Sequence, residues 1–296
     1  MTIGLSDQSV GVYAEAQYRL FGFTKSGQCK LAGLPSSVLK HMTDPTLNAD
    51  VESFAQQGYL VVPGIFDPAM IEQLLALIER SLTPPLAPVE FEADVHYPGA
   101  PASREAPGGE TPRRLLHAYT RDALFQQCAR AEPVVSRLQR LIGAPSLCLS
   151  QNHHNCIMTK YPGFSSQTSW HQDIRYWSFD RPELVSTWLA LGDENRENGG
   201  LLVIPGSHRV DLDRGRLDAA LFLRTDLDDN RELIDQAVTV ELKAGDMLFF
   251  HSRTFHAAGQ NLTDQVKRSL VYTYRAANNA PIPETRSANY PDIPVN

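Results

Sequence analysis

The stretch with the most evident chemistry is SWHQDIRYWSFD, residues 169–180, in which a histidine and an aspartate lie two positions apart among bulky aromatic residues. Burying an imidazole and a carboxylate costs free energy unless a partner compensates them. In a β-strand, side chains two residues apart point to the same face, so His171 and Asp173 can both reach one metal ion. The pair therefore predicts a metal site, a proton-transfer pair or an ordinary hydrogen bond.

A metal would need a further ligand from a distant strand, and the segment FFHSRTFHAAGQN offers His251 and His256. Two histidines and one carboxylate on one face of an iron(II) ion leave positions open for a co-substrate and O₂. Zinc accepts the same atoms, so the ligands alone do not identify the metal.

An arginine follows on what reads as a neighbouring strand. Arg268 opens the segment RSLVYTYR, twelve residues after His256, and can point into the same barrel. A guanidinium offers a bidentate fork to a carboxylate. A 2-oxo acid could then chelate the metal at one end and bind Arg268 at the other.

The N-terminal part is predicted to be irregular and then helical. Residues 1–48 have weak periodicity and form an irregular arm. A helix capped by Asn48 or Asp50 precedes the apolar strand YLVVPGIF, and a second helix begins after its cap, Asp67. We expect residues 49–296 to form a single domain.

Residues 83–112 read as a long loop, because prolines, glycines and scattered charges replace the helical pattern. Loops of this length in compact domains are usually functional lids or disordered segments, and we expect this one to cap the pocket. A third helix is predicted at roughly 121–142.

Short β-branched or aromatic segments separated by turn residues follow from Leu147 to about residue 278. The first, LCLSQNHHNCIMTKY, is predicted to be one strand, on which the adjacent His153 and His154 face opposite sides. Many short strands at this spacing favour a closed or double-sheet antiparallel architecture. The fold class is therefore mainly β with flanking helices, as a β-barrel or jelly roll.

Composition narrows the class of function. The 296 residues are 42% hydrophobic and 21% charged, with a net charge of -7, which argues against a nucleic-acid binder that relies on phosphate contacts. No apolar run is long enough for a membrane span. Four scattered cysteines and the absence of a signal peptide favour free thiols and a cytoplasmic protein. A small-molecule substrate is the expected partner.

Several motifs together resemble the phytanoyl-CoA dioxygenase family of iron(II)/2-oxoglutarate oxygenases. They are HQDIRYWSF, STWLALGDENRENGGLLVIPGSHR, GDMLFFHSRTFHAAGQN and the opening FAQQGYLVVPGIFDPAMIEQL, and the resemblance covers roughly residues 50–278. It implies a double-stranded β-helix (jelly-roll, cupin-like) core. The implied cofactor is Fe(II), and the implied co-substrates are 2-oxoglutarate and O₂.

The resemblance also implies roles for individual residues. His171, Asp173 and His256 become the iron ligands, and Arg268 binds the far carboxylate of 2-oxoglutarate. The interval from His256 to Arg268 is about one residue longer than the family pattern, so Lys267 is the alternative for that carboxylate.

Further co-substrate contacts are implied by family position. Trp188 matches a position that lines the 2-oxoglutarate site. Arg114 falls where family members have a lysine contacting 2-oxoglutarate, Cys156 falls at another contact, and His154 lines the site. Arg175, beside the metal motif, could meet an anionic substrate or be an ordinary solvated side chain.

The reaction expected from these features is hydroxylation of an unactivated C–H bond of a small molecule, with decarboxylation of 2-oxoglutarate to succinate and CO₂. Halogenases of this type replace the carboxylate ligand with a small residue, and Asp173 argues against that outcome. Two alternatives stay open. One is a catalytically silent metal- or ligand-binding member of the fold, and the other is a metal-dependent hydrolase or isomerase on a cupin-like barrel.

Overall fold

The structure is a computed structural model that describes residues 45–295. Most of the predicted arm, residues 1–44, lies outside the described residues. The first helix of the described residues is Pro45–Gln57, so Asn48 and Asp50 lie within it and the predicted cap is wrong. Proline suits a first helical turn, because its φ angle is already helical and its missing N–H has no partner to lose there.

Among the helices, one predicted cap is confirmed and one helix predicted as continuous is divided into two. In residues 45–295 the helices are α1 Pro45–Gln57, α2 Pro68–Leu82, α3 Ala118–Arg121, α4 Ala123–Ala129, α5 Glu132–Ile142 and α6 Asp228–Ile234. Asp67 caps α2 as predicted, since its Oδ1 accepts the backbone N–H of Met70 at 2.9 Å. The predicted helix over 121–142 is instead α4 and α5, because Pro133 cannot continue a helix but suits the first turn of a new one.

Antiparallel strands make up most of the remaining chain. The strands are β1 Tyr59–Val62, β2 Val89–Phe91, β3 Pro112–Leu116, β4 Leu147–Leu149, β5 Asn155–Lys160, β6 Thr168–His171, β7 Leu184–Ala190, β8 Leu201–Val203, β9 Val238–Thr239, β10 Met247–His251, β11 His256–Ala258, β12 Lys267–Ala276 and β13 Ile293–Pro294. The segment predicted as one strand from Leu147 is divided into β4 and β5. His153 and His154 therefore lie in a bend between strands, not on opposite faces of one.

The strands form two sheets. The larger has the order β1-β10-β7-β12-β5-β3-β2, with β4 pairing β12 and β13, and the smaller has the order β6-β11-β8-β9. The predicted loop over 83–112 contributes β2 to the edge of the larger sheet, where it pairs with β3. Farther along this segment, Val95 and Tyr97 line the cavity between the sheets.

Apolar side chains divide into two main layers. On one face of the larger sheet, Leu74 of α2 and Leu138 of α5 pack in the same cluster as Tyr272 of β12. On the other face, Trp188 of β7 packs in a second cluster with Leu201 of the smaller sheet. Because side chains alternate along a strand, central strands of the larger sheet such as β7, β10 and β12 contribute to both layers. The expected jelly-roll core with flanking helices is confirmed.

Within residues 45–295, no helix combines the length and the apolar character needed to cross a membrane.

Candidate metal centre

The three predicted metal ligands converge between the two sheets. His171 ends β6 and His256 begins β11, and these residues face each other in the register of the antiparallel pair. Asp173 is not on the strand, as the sequence suggested, but opens a 3₁₀ turn over Asp173–Tyr176. The turn brings the carboxylate back to the strand pair, so all three side chains meet.

The distances are those of a cluster that can hold one metal ion. Asp173 Oδ1 lies 3.8 Å from His171 Nε2 and 3.7 Å from His256 Nε2. The ligand atoms of the three residues all lie within 4.8 Å of one another. All three side chains are buried. Two imidazoles and one carboxylate on one side of an ion match the donor set of non-haem iron(II) oxygenases, which leaves the other positions open.

Backbone carbonyls orient both imidazoles toward the shared point. His171 Nδ1 is 2.8 Å from the carbonyl oxygen of Ser169, and His256 Nδ1 is 3.0 Å from that of Thr254. Nδ1 must then carry the proton and donate it, so each Nε2 keeps its lone pair for a metal. Burial, followed by the proximity of His256, lowers the pKa of His171 far below its usual value. Burial also lowers the pKa of His256, so both rings are neutral ligands.

A further histidine fixes the carboxylate. His154 Nε2 is 3.1 Å from Asp173 Oδ2, the oxygen that faces away from the two ligand histidines. Burial alone would lower the pKa of His154, but the Asp173 carboxylate raises it to about 9. His154 therefore donates to Oδ2 and leaves Oδ1 as the metal-facing oxygen. His154 lines the cavity, and its contact in the described structure is with Asp173.

The metal centre opens into a cavity of ≈ 240 Å³. Its acidic lining residues are Glu90, Glu92 and Asp173, and its basic lining residues are Arg113, Arg114, Lys160, Arg175, Lys267 and Arg286. Burial lowers the pKa of Lys160 to about 7, and Lys267 is paired with Glu194, but the four arginines still outnumber the three acidic residues, so the cavity has a positive excess although the chain as a whole carries -7. A cleft of one sign focuses the field and attracts ligands of the opposite charge. The cavity is therefore suited to anions.

Lys267 is a buried basic residue of the cavity lining. Its Nζ lies 3.1 Å from Glu194 Oε2, 3.2 Å from Ser269 Oγ and 4.9 Å from the centre of the Trp188 ring. Glu194 is fully enclosed and also accepts hydrogen bonds from Trp188 Nε1, at 3.0 and 3.1 Å, and from Ser269 Oγ, at 2.6 Å. An ammonium has three N–H donors, and these contacts use two of them. Apart from the Trp188 ring, Nζ has no third partner within residues 45–295, so one N–H of Lys267 is left for a ligand.

Arg268 does not reach the cavity, contrary to the sequence prediction. Its Nη2 is 2.9 Å from Glu79 Oε2, on helix α2 at the outer face of the larger sheet. The reason is the two-residue period of β12, which turns Lys267 and Ser269 inward and Arg268 and Leu270 outward. The alternative that the sequence left open, Lys267, occupies the inward position.

Of the other predicted co-substrate contacts, two residues line the cavity and one is buried behind the lining. Trp188 and Arg114 line the cavity. The Arg114 guanidinium lies 3.4 Å from Glu90 Oε1, and its Nε is buried without a hydrogen-bond partner among the described residues. Cys156 is buried in the apolar cluster that contains Trp188 and is not part of the cavity lining.

His251 is not the third ligand. Its Nδ1 accepts the backbone N–H of Arg253 at 3.1 Å, and its ring packs against Phe54 and His208. The strand β10 that ends at His251 pairs with β1 and β7 in the larger sheet, whereas His256 lies in the smaller one. Of the two candidates in this segment, only His256 joins His171 and Asp173.

Sequence reasoning missed several residues of the site. Glu194 stands in the polar run GDENRENGG, which reads as a surface turn, and nothing local indicates that its side chain is buried. Lys160 ends β5 directly opposite Lys267 in register, a pairing that only the sheet order reveals. Tyr97 and Phe222 come from loops and meet edge to face, with ring centres 5.9 Å apart.

Comparison with known proteins agrees with this geometry. The phytanoyl-CoA dioxygenase family matches residues 54–269. An ectoine dioxygenase of Streptomyces avermitilis is 25% identical over 255 residues, which cover 80% of this chain and 81% of that protein. The peroxisomal phytanoyl-CoA dioxygenase of Homo sapiens is 23% identical over 238 residues, covering 76% of this chain and 67% of that protein.

Solved structures show the same fold. The epimerase SnoN, in complex with Fe³⁺, α-ketoglutarate and nogalamycin RO, superposes with a TM-score of 0.65 at 25% identity, over 81% of this chain and 88% of that one. EctD from S. alaskensis, with 2-oxoglutarate and 5-hydroxyectoine, gives a TM-score of 0.65 at 18% identity, over 86% of this chain and 80% of that one. The matched residues 54–269 include all three candidate ligands. The chain therefore belongs to the phytanoyl-CoA dioxygenase family of iron- and 2-oxoglutarate-dependent oxygenases.

Proposed function

We propose that the protein is an Fe(II)/2-oxoglutarate-dependent dioxygenase that hydroxylates an unactivated C–H bond of a small molecule. The observation that carries the proposal is the buried His171–Asp173–His256 cluster at the wall of a basic cavity. In the overall reaction, substrate, O₂ and 2-oxoglutarate give hydroxylated substrate, succinate and CO₂. One oxygen atom enters the new hydroxyl group and the other enters succinate.

The donor set fits iron(II). His171 and His256 would hold it through Nε2 and Asp173 through Oδ1, since hydrogen bonds already fix both Nδ1 atoms and Oδ2. When bound, iron(II) supplies the activation of O₂ that the side chains cannot provide themselves. The chain's own part is to hold the ligands in place before the metal arrives and to keep bulk water from the centre.

Lys267 is the residue that supports binding of the distal carboxylate of 2-oxoglutarate. It lines the cavity, it has one uncommitted N–H, and its ammonium is nearly enclosed. Charge-assisted hydrogen bonds are strongest where water is excluded. Trp188 forms the adjoining wall and, through its N–H to Glu194, fixes the carboxylate that holds Lys267.

Product analysis tests the reaction type. The purified protein, supplied with iron(II), 2-oxoglutarate and ¹⁸O₂, is screened against small metabolites for substrate-dependent succinate. Hydroxylation predicts a product that gains one ¹⁸O atom with each succinate formed. A product that loses two hydrogen atoms would instead indicate ring formation or desaturation, and a product of unchanged mass would indicate epimerisation.

The same screen separates the two alternative classes. A catalytically silent member predicts metal binding without succinate from any substrate. A hydrolase or isomerase predicts turnover under anaerobic conditions and no requirement for Lys267. The complete His171–Asp173–His256 set and the uncommitted N–H of Lys267 favour the oxygenase.

Replacing Glu194 with glutamine should tighten 2-oxoglutarate binding by roughly tenfold, which corresponds to about 1.4 kcal/mol. The glutamate carboxylate now competes with the co-substrate carboxylate for Lys267, and the substitution removes that negative charge. The free protein should lose stability, because a buried ammonium then lacks its counter-ion. Thermal unfolding with and without 2-oxoglutarate measures both effects.

Asp193→Asn is the matched control for Glu194→Gln. Asp193 is the neighbouring acidic residue, and it pairs with Lys243 at the surface. Its substitution should leave 2-oxoglutarate affinity unchanged. If Glu194→Gln weakens 2-oxoglutarate binding instead, Glu194 serves the co-substrate by aligning Lys267, and competition is ruled out.

A further inference from the structure

Arg175 lines the cavity, two residues after the proposed metal ligand Asp173. Its guanidinium stacks on the ring of Phe222, with Cζ 3.8 Å from the ring centre, and lies 4.3 Å from the centre of the Tyr176 ring. The Phe222 ring also meets the His171 ring, with centres 5.8 Å apart. One aromatic ring therefore separates the Arg175 charge from a metal ligand.

The hydrogen-bonding capacity of Arg175 is largely unused. A guanidinium has five N–H donors. Nη1 makes two long contacts of 3.3 Å, to the carbonyl oxygens of Ala220 and Leu221. Nε is buried and has no hydrogen-bond partner among the described residues. A partly buried charge with no carboxylate partner and a buried, unsatisfied Nε is costly, so we infer that the site is built for a group that arrives from outside the chain.

The carboxylates of Asp173 and Asp218 interact electrostatically with the Arg175 guanidinium, but each carboxylate is hydrogen-bonded to other groups. Asp173 belongs to the metal centre and to His154. Asp218 Oδ1 accepts the backbone N–H groups of Ala220 and Phe222, each at 2.9 Å. Neither carboxylate forms an ion pair with the arginine.

The turn built by Asp218 holds the partners of Arg175 in place. Within it Leu221 has a φ of 63°, a left-handed conformation that is uncommon for a residue with a branched side chain. Such conformations persist where surrounding contacts enforce them, and they concentrate at functional sites. Here the turn presents the Phe222 ring and two carbonyls to the guanidinium, and Arg175 lines the cavity.

We propose that Arg175 anchors the substrate through an anionic group, a carboxylate or a phosphate, while an adjoining hydrocarbon part extends toward the metal centre. This inference rests on the proposed oxygenase function and names its substrate class. The charge balance of the lining agrees. A divalent ion adds two positive charges and 2-oxoglutarate two negative ones, so the excess of basic over acidic side chains persists for a second anion.

The stacked geometry also defines the shape of the ligand. Arginine fixed against an aromatic face offers its remaining N–H edge as a flat fork, which matches the two oxygens of a carboxylate or phosphate. Of the two rings that contact the guanidinium, Tyr176 also lines the cavity and can pack on carbon atoms next to the anion. The substrate is therefore a small organic acid or phosphate ester, not a neutral or cationic metabolite.

Matched probes test this with the whole protein. Phenylacetate, phenylacetamide and phenyl phosphate are each titrated into the anaerobic protein loaded with iron(II) and 2-oxoglutarate. Perturbation of the visible charge-transfer band and a thermal-shift titration both report binding. We expect saturable binding of an anion and at least tenfold weaker binding of the amide. The relative affinities of phenylacetate and phenyl phosphate distinguish carboxylate from phosphate.

Variants assign the binding to Arg175. Arg175→Gln should weaken the preferred anion about 10- to 100-fold, the loss expected for hydrogen bonds to a charged group, and Arg175→Lys should weaken it less. Arg224→Gln is the control, because Arg224 carries the same charge in the same segment but pairs with Asp226 at the surface. The charge-transfer band of bound 2-oxoglutarate should be the same in all three variants.

The proposal is overturned if acid and amide bind alike, if neither anion binds, or if Arg175→Gln binds the anion as tightly as the unmodified protein. Absence of the band in the unmodified protein is a separate result, which would contradict the oxygenase function. In that case the thermal-shift titration still reports whether Arg175 binds anions.

Discussion

Replacing Asp173 with alanine abolishes substrate-dependent succinate formation and weakens iron(II) binding by more than about tenfold. The carboxylate supplies the only anionic ligand of the described cluster, and its Oδ1 lies within 4 Å of both imidazole nitrogens. Even residues that merely support a ligand change metal affinity by about 10- to 100-fold. Iron titration and succinate assays measure the two effects.

The matched control for Asp173→Ala is Asp229→Ala, which removes an exposed aspartate from α6. Circular dichroism and thermal unfolding establish that both variants are folded. Full activity of the Asp173 variant would show that Asp173 is not a metal ligand and that the assignment of His171, Asp173 and His256 is wrong.

Replacing Lys267 with methionine raises the 2-oxoglutarate concentration needed for half-maximal turnover by about 10- to 100-fold, while iron(II) affinity stays the same. A hydrogen bond to a charged group contributes about 1.5–3 kcal/mol, and methionine keeps the length of the side chain without its charge. Arg268→Met is the matched control, since Arg268 has the same charge one residue along the strand but contacts Glu79. It should leave the 2-oxoglutarate requirement unchanged.

Lys267→Met also leaves Glu194 as a buried charge without its partner, which typically costs about 3–5 kcal/mol of stability. The double variant Lys267→Met/Glu194→Gln removes both charges and keeps the site folded. It should show the same weak 2-oxoglutarate binding. If Arg268→Met raises the 2-oxoglutarate concentration needed for half-maximal turnover and the double variant does not, Arg268 and not Lys267 binds the co-substrate carboxylate.

The cluster of candidate metal ligands could be predicted from sequence because its signal is local. His171 and Asp173 are separated by one residue, and His256 lies in a motif that follows an apolar strand. Any fold that pairs the two segments brings these side chains together. The structure shows this pairing, although Asp173 reaches the site from a 3₁₀ turn and not from the strand.

The co-substrate end could not be predicted in the same way, because a one-residue shift on a strand reverses the face of a side chain. Lys267 and Arg268 are both basic, and only the register of β12 shows which of them faces the cavity. Glu194 was invisible for a different reason. Its burial depends on contacts with Trp188 and Lys267 that only the folded sheet creates.

Turns set the other limits. Pro133 divides a helix that apolar periodicity alone would continue, and the bend before Asn155 moves His153 and His154 off the predicted strand. The turn around Leu221, which places Phe222 beside Arg175 and His171, has no periodic pattern at all. Loop conformations of this kind depend on tertiary contacts, so the substrate side of the cavity is the part that sequence describes least.

The most direct test of the central assignment is an anaerobic titration of the purified protein with iron(II) and 2-oxoglutarate, with Asp173→Ala as control. A 2-oxo acid chelated to iron(II) gives a weak visible charge-transfer band. The assignment predicts a saturable band that requires both components and is lost in the Asp173 variant. Bound iron without a band in the unmodified protein, or a band of equal strength in the variant, would contradict it.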